Sequence, residues 1–331
     1  MYKPLKIFVI GCGSIGERHI KNLKSLSTGN ILTQDINSGQ LSLVKEKYNI
    51  ETYEDIEDGF DQKPDAVLVC TPPTMHIPIA MKAVDHNAHV FIEKPISHNL
   101  EKVDELISKA ESKKLNVLVG YNLRFHSGIQ LMKKMIDEGV IGNVLSAKAE
   151  FGQYLPDWRP GQDYRMGYSA NKELGGGIIL DASHEIDYLQ WLIGNIKKVA
   201  CFAGKISNLD VNVEDTAEIL LKFENNAIGG IHLDFTQRNY SRNCKLIGEK
   251  GTITWDYSDK IVKLYLASEK KWKSFPVTAD ANHMYVQEMK HFLECINGKT
   301  KPLIDASIAK NVLEIALTIK ESSKKNAAIS I

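Results

Sequence analysis

The tightest constraint on this chain is the glycine cluster Gly11-Cys12-Gly13-Ser14-Ile15-Gly16, which directly follows the apolar run at 5–10 and precedes a helical pattern. In that setting the glycines permit a sharp turn and a close approach of a pyrophosphate to backbone. The helix after the turn offers unpaired N–H groups and the positive end of its dipole. Asp35 falls 19 residues after Gly16, where a second strand is expected to end. An acid there can accept hydrogen bonds from both adenosine ribose hydroxyls and repels a 2′-phosphate. The pattern therefore predicts an NAD site, with NADP disfavoured. The plainer alternative is a glycine turn that only links strand to helix, with Asp35 as an ordinary polar strand end.

The next hundred residues support a parallel sheet. Short apolar runs at 5–10, 31–35, 66–71, 88–92 and 117–121 alternate with segments such as 77–87 and 100–113, whose apolar residues recur every three or four positions. That alternation is the signature of strands joined by crossover helices. After Tyr121 the pattern changes to a helix near 128–138, an aromatic and charged stretch at 154–168 and a helix over about 178–193. From 197 to 267 strand-like runs succeed one another without helices between them, as an antiparallel or mixed sheet requires. Helical patterns at 284–296 and 306–322 close the chain. The expected fold class is α/β: an N-terminal doubly wound parallel sheet over 1–122, then a second α/β domain over 123–331 with an open, mostly antiparallel sheet.

Composition removes several classes of partner. Lys plus Arg and Asp plus Glu each total 41 in 331 residues, so no excess of positive charge draws the chain to nucleic acid or to a membrane surface. The first apolar run is interrupted by Lys6 and ends in glycine, unlike a secretion signal, and no run approaches the ~20 residues that span a bilayer. The chain is expected in the cytoplasm. Its five cysteines stand singly at 12, 70, 201, 244 and 295, a spacing that suggests neither a zinc site nor a disulfide framework. No metal is expected.

Glu93-Lys94-Pro95 sits at the carboxyl end of a predicted parallel strand, the edge where open α/β sheets hold their ligands. Pro95 keeps Lys94 out of helical geometry. Beside a cationic nicotinamide the lysine pKa would fall toward the range useful for proton transfer; otherwise Lys-Pro after a strand is a solvated loop. On a continuous helix over 178–193, Ile179, Ala182, Ile186, Leu189 and Ile193 form an apolar stripe while Asp181, His184 and Tyr188 share another face. That polar face either serves chemistry or faces water.

With these motifs in place, the chain resembles the glucose–fructose oxidoreductase and inositol dehydrogenase group, Gfo/Idh/MocA. The resemblance is carried by GCGSIGERH at 11–19, TPPTMH at 71–76, EKP at 93–95, YNLRF at 121–125 and GGGIILDASHEID at 175–187. It implies a nicotinamide cofactor, redox chemistry at a carbinol carbon of a sugar, cyclitol or nucleotide sugar, and a homodimer or homotetramer joined through the open sheet. It further implies that Lys94 is the catalytic lysine and His184 the histidine near the reacting hydroxyl, both touching substrate. Thr71, Pro72, His76, Glu93 and Asn122 would line the cofactor with the glycine turn. One departure concerns the acid that precedes the histidine. Many members place it four residues before, where Leu180 stands here, whereas Asp181 lies three before His184. A catalytic and substrate-binding role for Asp181 therefore stays open.

Trp158, Arg159, Tyr164, Arg165 and Tyr168 precede the triple glycine and suit a sugar ring with anionic substituents, Tyr164 and Arg165 above all. Alternatively this is a surface loop with internal ion pairs, since Asp157, Asp163 and Glu173 balance its cations. Two other functions compete with a simple dehydrogenase: a non-catalytic NAD(P)-binding sensor or regulator, and a glycosidase that uses transient oxidation by NAD to cleave its bond.

Overall fold

The computed structural model describes residues 4–278 and 280–331. The strands in chain order are β1 (Leu5–Ile10), β2 (Gly29–Gln34), β3 (Glu51–Tyr53), β4 (Ala66–Val69), β5 (His89–Ile92), β6 (Val117–Val119), β7 (Val144–Gly152), β8 (Ile196–Gly204), β9 (Thr216–Phe223), β10 (Ile228–Asp234), β11 (Ser241–Gly248), β12 (Gly251–Asp256), β13 (Ile261–Leu266), β14 (Lys271–Pro276) and β15 (Ile329–Ser330). The helices are α1 (Ser14–Ser25), α2 (Ser38–Tyr48), α3 (Ile56–Asp61), α4 (His76–Asp85), α5 (Val103–Ser112), α6 (Ser127–Asp137), α7 (Ile178–Asp181), α8 (His184–Ile193), α9 (His283–Ile296) and α10 (Ala306–Lys325). They divide into two compact units, Met1–Asn122 with Tyr285–Asn311, and Leu123–Met284 with Val312–Ile331.

The first unit is built on a six-stranded parallel sheet in the order β3-β2-β1-β4-β5-β6. Ile7, Phe8 and Val9 of β1 and all of β4 are fully buried, as expected of strands covered by helices on both faces, which is why they read as unbroken apolar runs. The chain moves outward from β1 through β2 to β3, then restarts at β4 on the other side of β1. That reversal opens the crevice in which doubly wound sheets bind ligands. Around its edge stand the carboxyl ends of β1, β2, β4, β5 and β6, and with them the turn at 11–16, Asp35, Thr71, Lys94 and Asn122. The edge strand β3 is only three residues long and escapes the sequence reading because it is too short for a period to show.

One boundary differs from the expectation. Tyr285–Asn311 belongs to the first unit, where Met289, Phe292 and Leu293 of α9 join the core that contains Phe91 and Leu118. The Phe91 and Phe292 rings meet edge to face at 5.7 Å. Periodicity identifies an amphipathic helix but not the core that its apolar stripe will cover.

The second unit carries a nine-stranded sheet in the order β14-β13-β12-β11-β7-β10-β9-β8-β15. All neighbours run antiparallel except β10 and β7, which are parallel. The continuous helix expected over 178–193 is broken into α7 and α8. Ala182 leaves helical geometry at φ −95°, ψ 31°, so a face drawn at 100° per residue across that break has no meaning. Nor is any of it solvated: Asp181, His184 and Tyr188 are all buried.

Candidate active site

At the end of β1 each glycine has a different constraint. Gly11 adopts φ +86°, a region L side chains avoid. A Cβ on Gly16 would lie 1.9 Å from the Gly11 carbonyl oxygen, so only glycine lets α1 pack this closely on the turn. Gly13 is unlike both, because a Cβ there meets nothing within 4 Å. It caps α1 at an ordinary φ of −61° without a side-chain hydrogen bond. The turn thus presents bare backbone at a helix N-terminus, the arrangement a pyrophosphate needs. Asp35 is fixed beside it by accepting from the backbone N–H groups of Cys12 at 2.8 Å and Asn37 at 2.9 Å. Gln40 Nε2 in turn donates to the Cys12 carbonyl at 2.8 Å. Burial and the Asp35 charge push the Cys12 thiol up to about 12, so it packs as a neutral group.

The ends of β4 and β5 are tied together by His76. Its buried ring has Nδ1 2.8 Å from the Pro95 carbonyl and Nε2 2.8 Å from the Thr71 carbonyl. Burial lowers its pKa, so the neutral ring donates to one carbonyl at a time. His76 thereby lies against both turns while its single N–H bonds to one of them. Thr71 Oγ1 is buried without a hydrogen-bond partner among the described residues, a donor left over for a ligand. Glu93 receives His19 Nε2 on Oε1 at 2.7 Å and the Lys94 N–H on Oε2 at 3.3 Å. His19 is fully buried in α1, so the helix that begins at the glycine turn is bonded to the residue before Lys94. The Lys94–Pro95 peptide is cis. Lys94 itself is partly exposed, and Asn122 is buried.

In the second unit the chain enters α7 through Gly175-Gly176-Gly177. A Cβ on Gly176 would lie 2.1 Å from the Tyr168 carbonyl oxygen, so the loop can lie directly on this turn. That contact brings the Tyr168 hydroxyl to Asp181 Oδ1 at 2.7 Å, and the Ser169 hydroxyl donates to Oδ2. Asp181 is therefore a buried carboxylate held by two hydroxyls, at the end of α7. His184 opens α8 after the break and is 7% exposed.

The loop carries an internal ion pair at Arg165. Arg165 forks onto Asp163, with Nε–O distances of 2.8 and 3.0 Å and Nη2–O of 2.6 Å, and its side chain is 55% exposed. The guanidinium holds the Asp163 carboxyl below its ordinary range. The Tyr164 hydroxyl accepts from the Asp210 N–H at 3.1 Å. Trp158 packs edge-on to Phe151 and Phe235 and donates to the Gln153 carbonyl, as a core anchor does.

Two family descriptions match the chain: the oxidoreductase family with an NAD-binding Rossmann fold over residues 5–121, and the GFO/IDH/MocA C-terminal domain over residues 129–254. The chain belongs to the Gfo/Idh/MocA family of oxidoreductases. It is similar to myo-inositol 2-dehydrogenase of Thermotoga maritima, 25% identical over 99% of this chain and 98% of that protein. It is also similar to scyllo-inositol 2-dehydrogenase (NAD(+)) of Bacillus subtilis, 26% identical over 100% and 97%. Among solved structures, levoglucosan dehydrogenase in complex with NADH and levoglucosan shares the fold at TM-score 0.89, 20% identity and 99% coverage of both chains.

The residues of this Gfo/Idh/MocA chain fit a pyridine dinucleotide: an open face at Gly13, a fixed carboxylate at Asp35 and an orphaned hydroxyl at Thr71 all lie along one sheet edge. The same motifs hold further side chains that residue type and spacing do not single out. Arg124 of YNLRF forms a buried fork with Asp187 of SHEID, and Arg242 pairs with Glu185 at 2.9 Å. For Arg124 and Asp187 a cation in one motif and an acid in another are the sequence signal, whereas Arg242 lies outside the motifs.

Proposed function

We propose that this oxidoreductase acts at a carbinol carbon of a sugar, cyclitol or nucleotide sugar with NAD rather than NADP. Bound at the glycine turn, NAD supplies or takes up the hydride. Ser14 and Ile15 begin α1 and contribute its first-turn backbone, while Asp35 accepts from the ribose hydroxyls and disfavours a 2′-phosphate. Lys94 and His184 hold the substrate hydroxyl and move its proton, one as acid or base and the other as orienting partner. Asp181 acts as a positioning group, since two hydroxyls already direct its carboxylate into the loop. Tyr164 and Arg165 belong to the substrate wall through their loop, Arg165 carrying its Asp163 partner with it.

The observation that carries this reading is the place of Lys94. It stands at the carboxyl end of β5, on the edge that holds the glycine turn and Asp35, and its neighbour Glu93 is bonded to α1. Replacing Lys94 by Met should abolish turnover on sugars and cyclitols while NADH still binds with unchanged fluorescence enhancement; full retained activity removes it from the mechanism. Net accumulation of NADH separates a simple dehydrogenase from redox-assisted glycoside cleavage.

Assembly and location belong to the same proposal. Phe202, Leu220 and Ile228 are 77%, 63% and 59% exposed on one face of the second sheet. The register makes them diagonal neighbours on that face: Phe202 pairs with Glu218, two residues before Leu220, and Leu220 pairs with Gly230, two residues after Ile228. An apolar patch of that kind supports a homodimer or homotetramer through this face, to be tested by sedimentation of Leu220→Asp. Among the described residues no helix is long and apolar enough to cross a membrane, and the proposed location is the cytoplasm.

A further inference from the structure

The first turn of α8 is gripped from two sides by arginines that arrive from distant parts of the second unit. Arg124, just before α6, donates from Nε at 3.0 and 3.1 Å and from Nη2 at 2.7 Å to the Asp187 carboxylate. Its guanidinium also lies over the Trp191 ring, 5.3 Å from the centroid, one helical turn further along α8. Arg242 of β11 pairs with Glu185 at 2.9 Å and stacks over Phe151 at 4.2 Å. Both carboxylates are 0% exposed and the arginine side chains only 5% and 12%. Buried ion pairs seldom add stability over well-packed apolar residues of the same size. What a forked pair adds is direction.

The direction it fixes is that of His184. At ~100° per residue, Glu185 lies about 100° to one side of His184 and Asp187 about 60° to the other, so His184 falls in the arc between the two grips. Nothing upstream holds the turn by helical continuity, because the chain leaves helical geometry at Ala182 and Ser183 provides no side-chain cap. We propose that Arg124 and Arg242 are positioning residues that aim the His184 imidazole, each through its carboxylate on α8. The inference rests on the reading of His184 as the group near the reacting hydroxyl.

Arg124→Lys keeps the charge and loses the planar fork, and Arg242→Lys keeps the charge and loses the stack on Phe151. The holoprotein would be prepared with isotope-labelled histidine, the His184 signal being assigned by its loss in His184→Gln. In each lysine variant the His184 titration midpoint should move by about half a unit or more, while the His89 signal in the first unit and the NADH affinity stay unchanged. With myo-inositol or another accepted cyclitol, kcat should fall ~10-fold or more at constant KM for NAD. Unaltered His184 titration in folded variants overturns the proposal, as does a kcat loss that merely follows the melting temperature. Should a lysine variant fail to fold, the amide variant of its partner, Asp187→Asn for Arg124 or Glu185→Gln for Arg242, is judged by the same criteria. The two readings fail separately: a fully active His184→Gln sinks the role of His184, whereas an unmoved imidazole signal sinks the grip alone.

Discussion

A methyl group added at Gly13 and one added at Gly16 should produce opposite defects. At Gly16 the new carbon would sit 1.9 Å from the Gly11 carbonyl oxygen, backbone that cannot step aside without moving β1 or α1. Overpacking of this kind costs ~1–3 kcal/mol and sometimes more, so Gly16→Ala should melt about 2–6 °C below the parent at ~2 °C per kcal/mol. At Gly13 the methyl meets nothing within 4 Å and φ is −61°. The gain of about 0.4–1 kcal/mol from a stiffer unfolded chain roughly offsets the poorer N-cap that alanine makes. The apo protein should therefore melt close to the parent. Ligand binding is where Gly13→Ala fails, because the methyl occupies the face left open for a pyrophosphate. At a concentration of NADH about 100 times Kd, ligand stabilises the parent by ~2.7 kcal/mol; a tenfold weaker site leaves ~1.4 kcal/mol. Melting curves with and without NADH, paired with fluorescence titration, read both quantities. Undiminished NADH affinity in Gly13→Ala, or a loss of apo stability equal to that of Gly16→Ala, would refute the division of labour between these glycines.

Three other outcomes are tied to particular contacts. Asp35→Asn removes the charge and should cut NAD affinity about tenfold while improving the NADP to NAD ratio; an unchanged ratio in competitive titration counts against the ribose assignment. His232 lies between Asp234 at 3.0 Å and Glu218 at 2.7 Å, and its hydrogen bonds to these two carboxylates raise its pKa to about 9. Its raised pKa gives stability that is complete below the unfolded value near 6.5 and lost as pH climbs to about 9, so His232→Gln should flatten the alkaline fall in urea midpoints. His126 shows the reverse sign. Burial lowers it to about 4 and its Nδ1 accepts the Gly128 N–H at 3.0 Å, so that its contribution, present above about 6.5, disappears as pH drops toward 4. A His126→Asn variant with the parent's acid slope would contradict this.

The first sheet is legible in the sequence because parallel strands buried on both faces leave unbroken apolar runs, and because glycines and Asp35 mark the strand ends by their chemistry. Strand β3 and the place of α9 are not, since neither three residues nor an amphipathic stripe encodes a partner. In the second unit the break at Ala182 hides behind a convincing helical period, as Ile178–Ile193 contains no glycine or proline to announce it. The candidate site divides similarly. Lys94 and His184 can be singled out from residue type and position, but the fork between Arg124 and Asp187, residues 63 positions apart, exists only once the chain is folded. Tyr168 shows the limit most plainly: its residue type and loop suggest a sugar-facing aromatic, and its hydroxyl is given to Asp181.

The five thiols lead to a practical consequence. All are buried and unpaired, and burial heads the causes that lift each of them above its ordinary value, Cys201 to about 12 and Cys295 to about 11 among them. Because alkylating reagents and peroxides attack the exposed thiolate, the native protein should tolerate air and maleimide alike. A single cysteine introduced on the surface would then be the sole site for a dye or spin label, with no need to strip the natural ones from the sequence first.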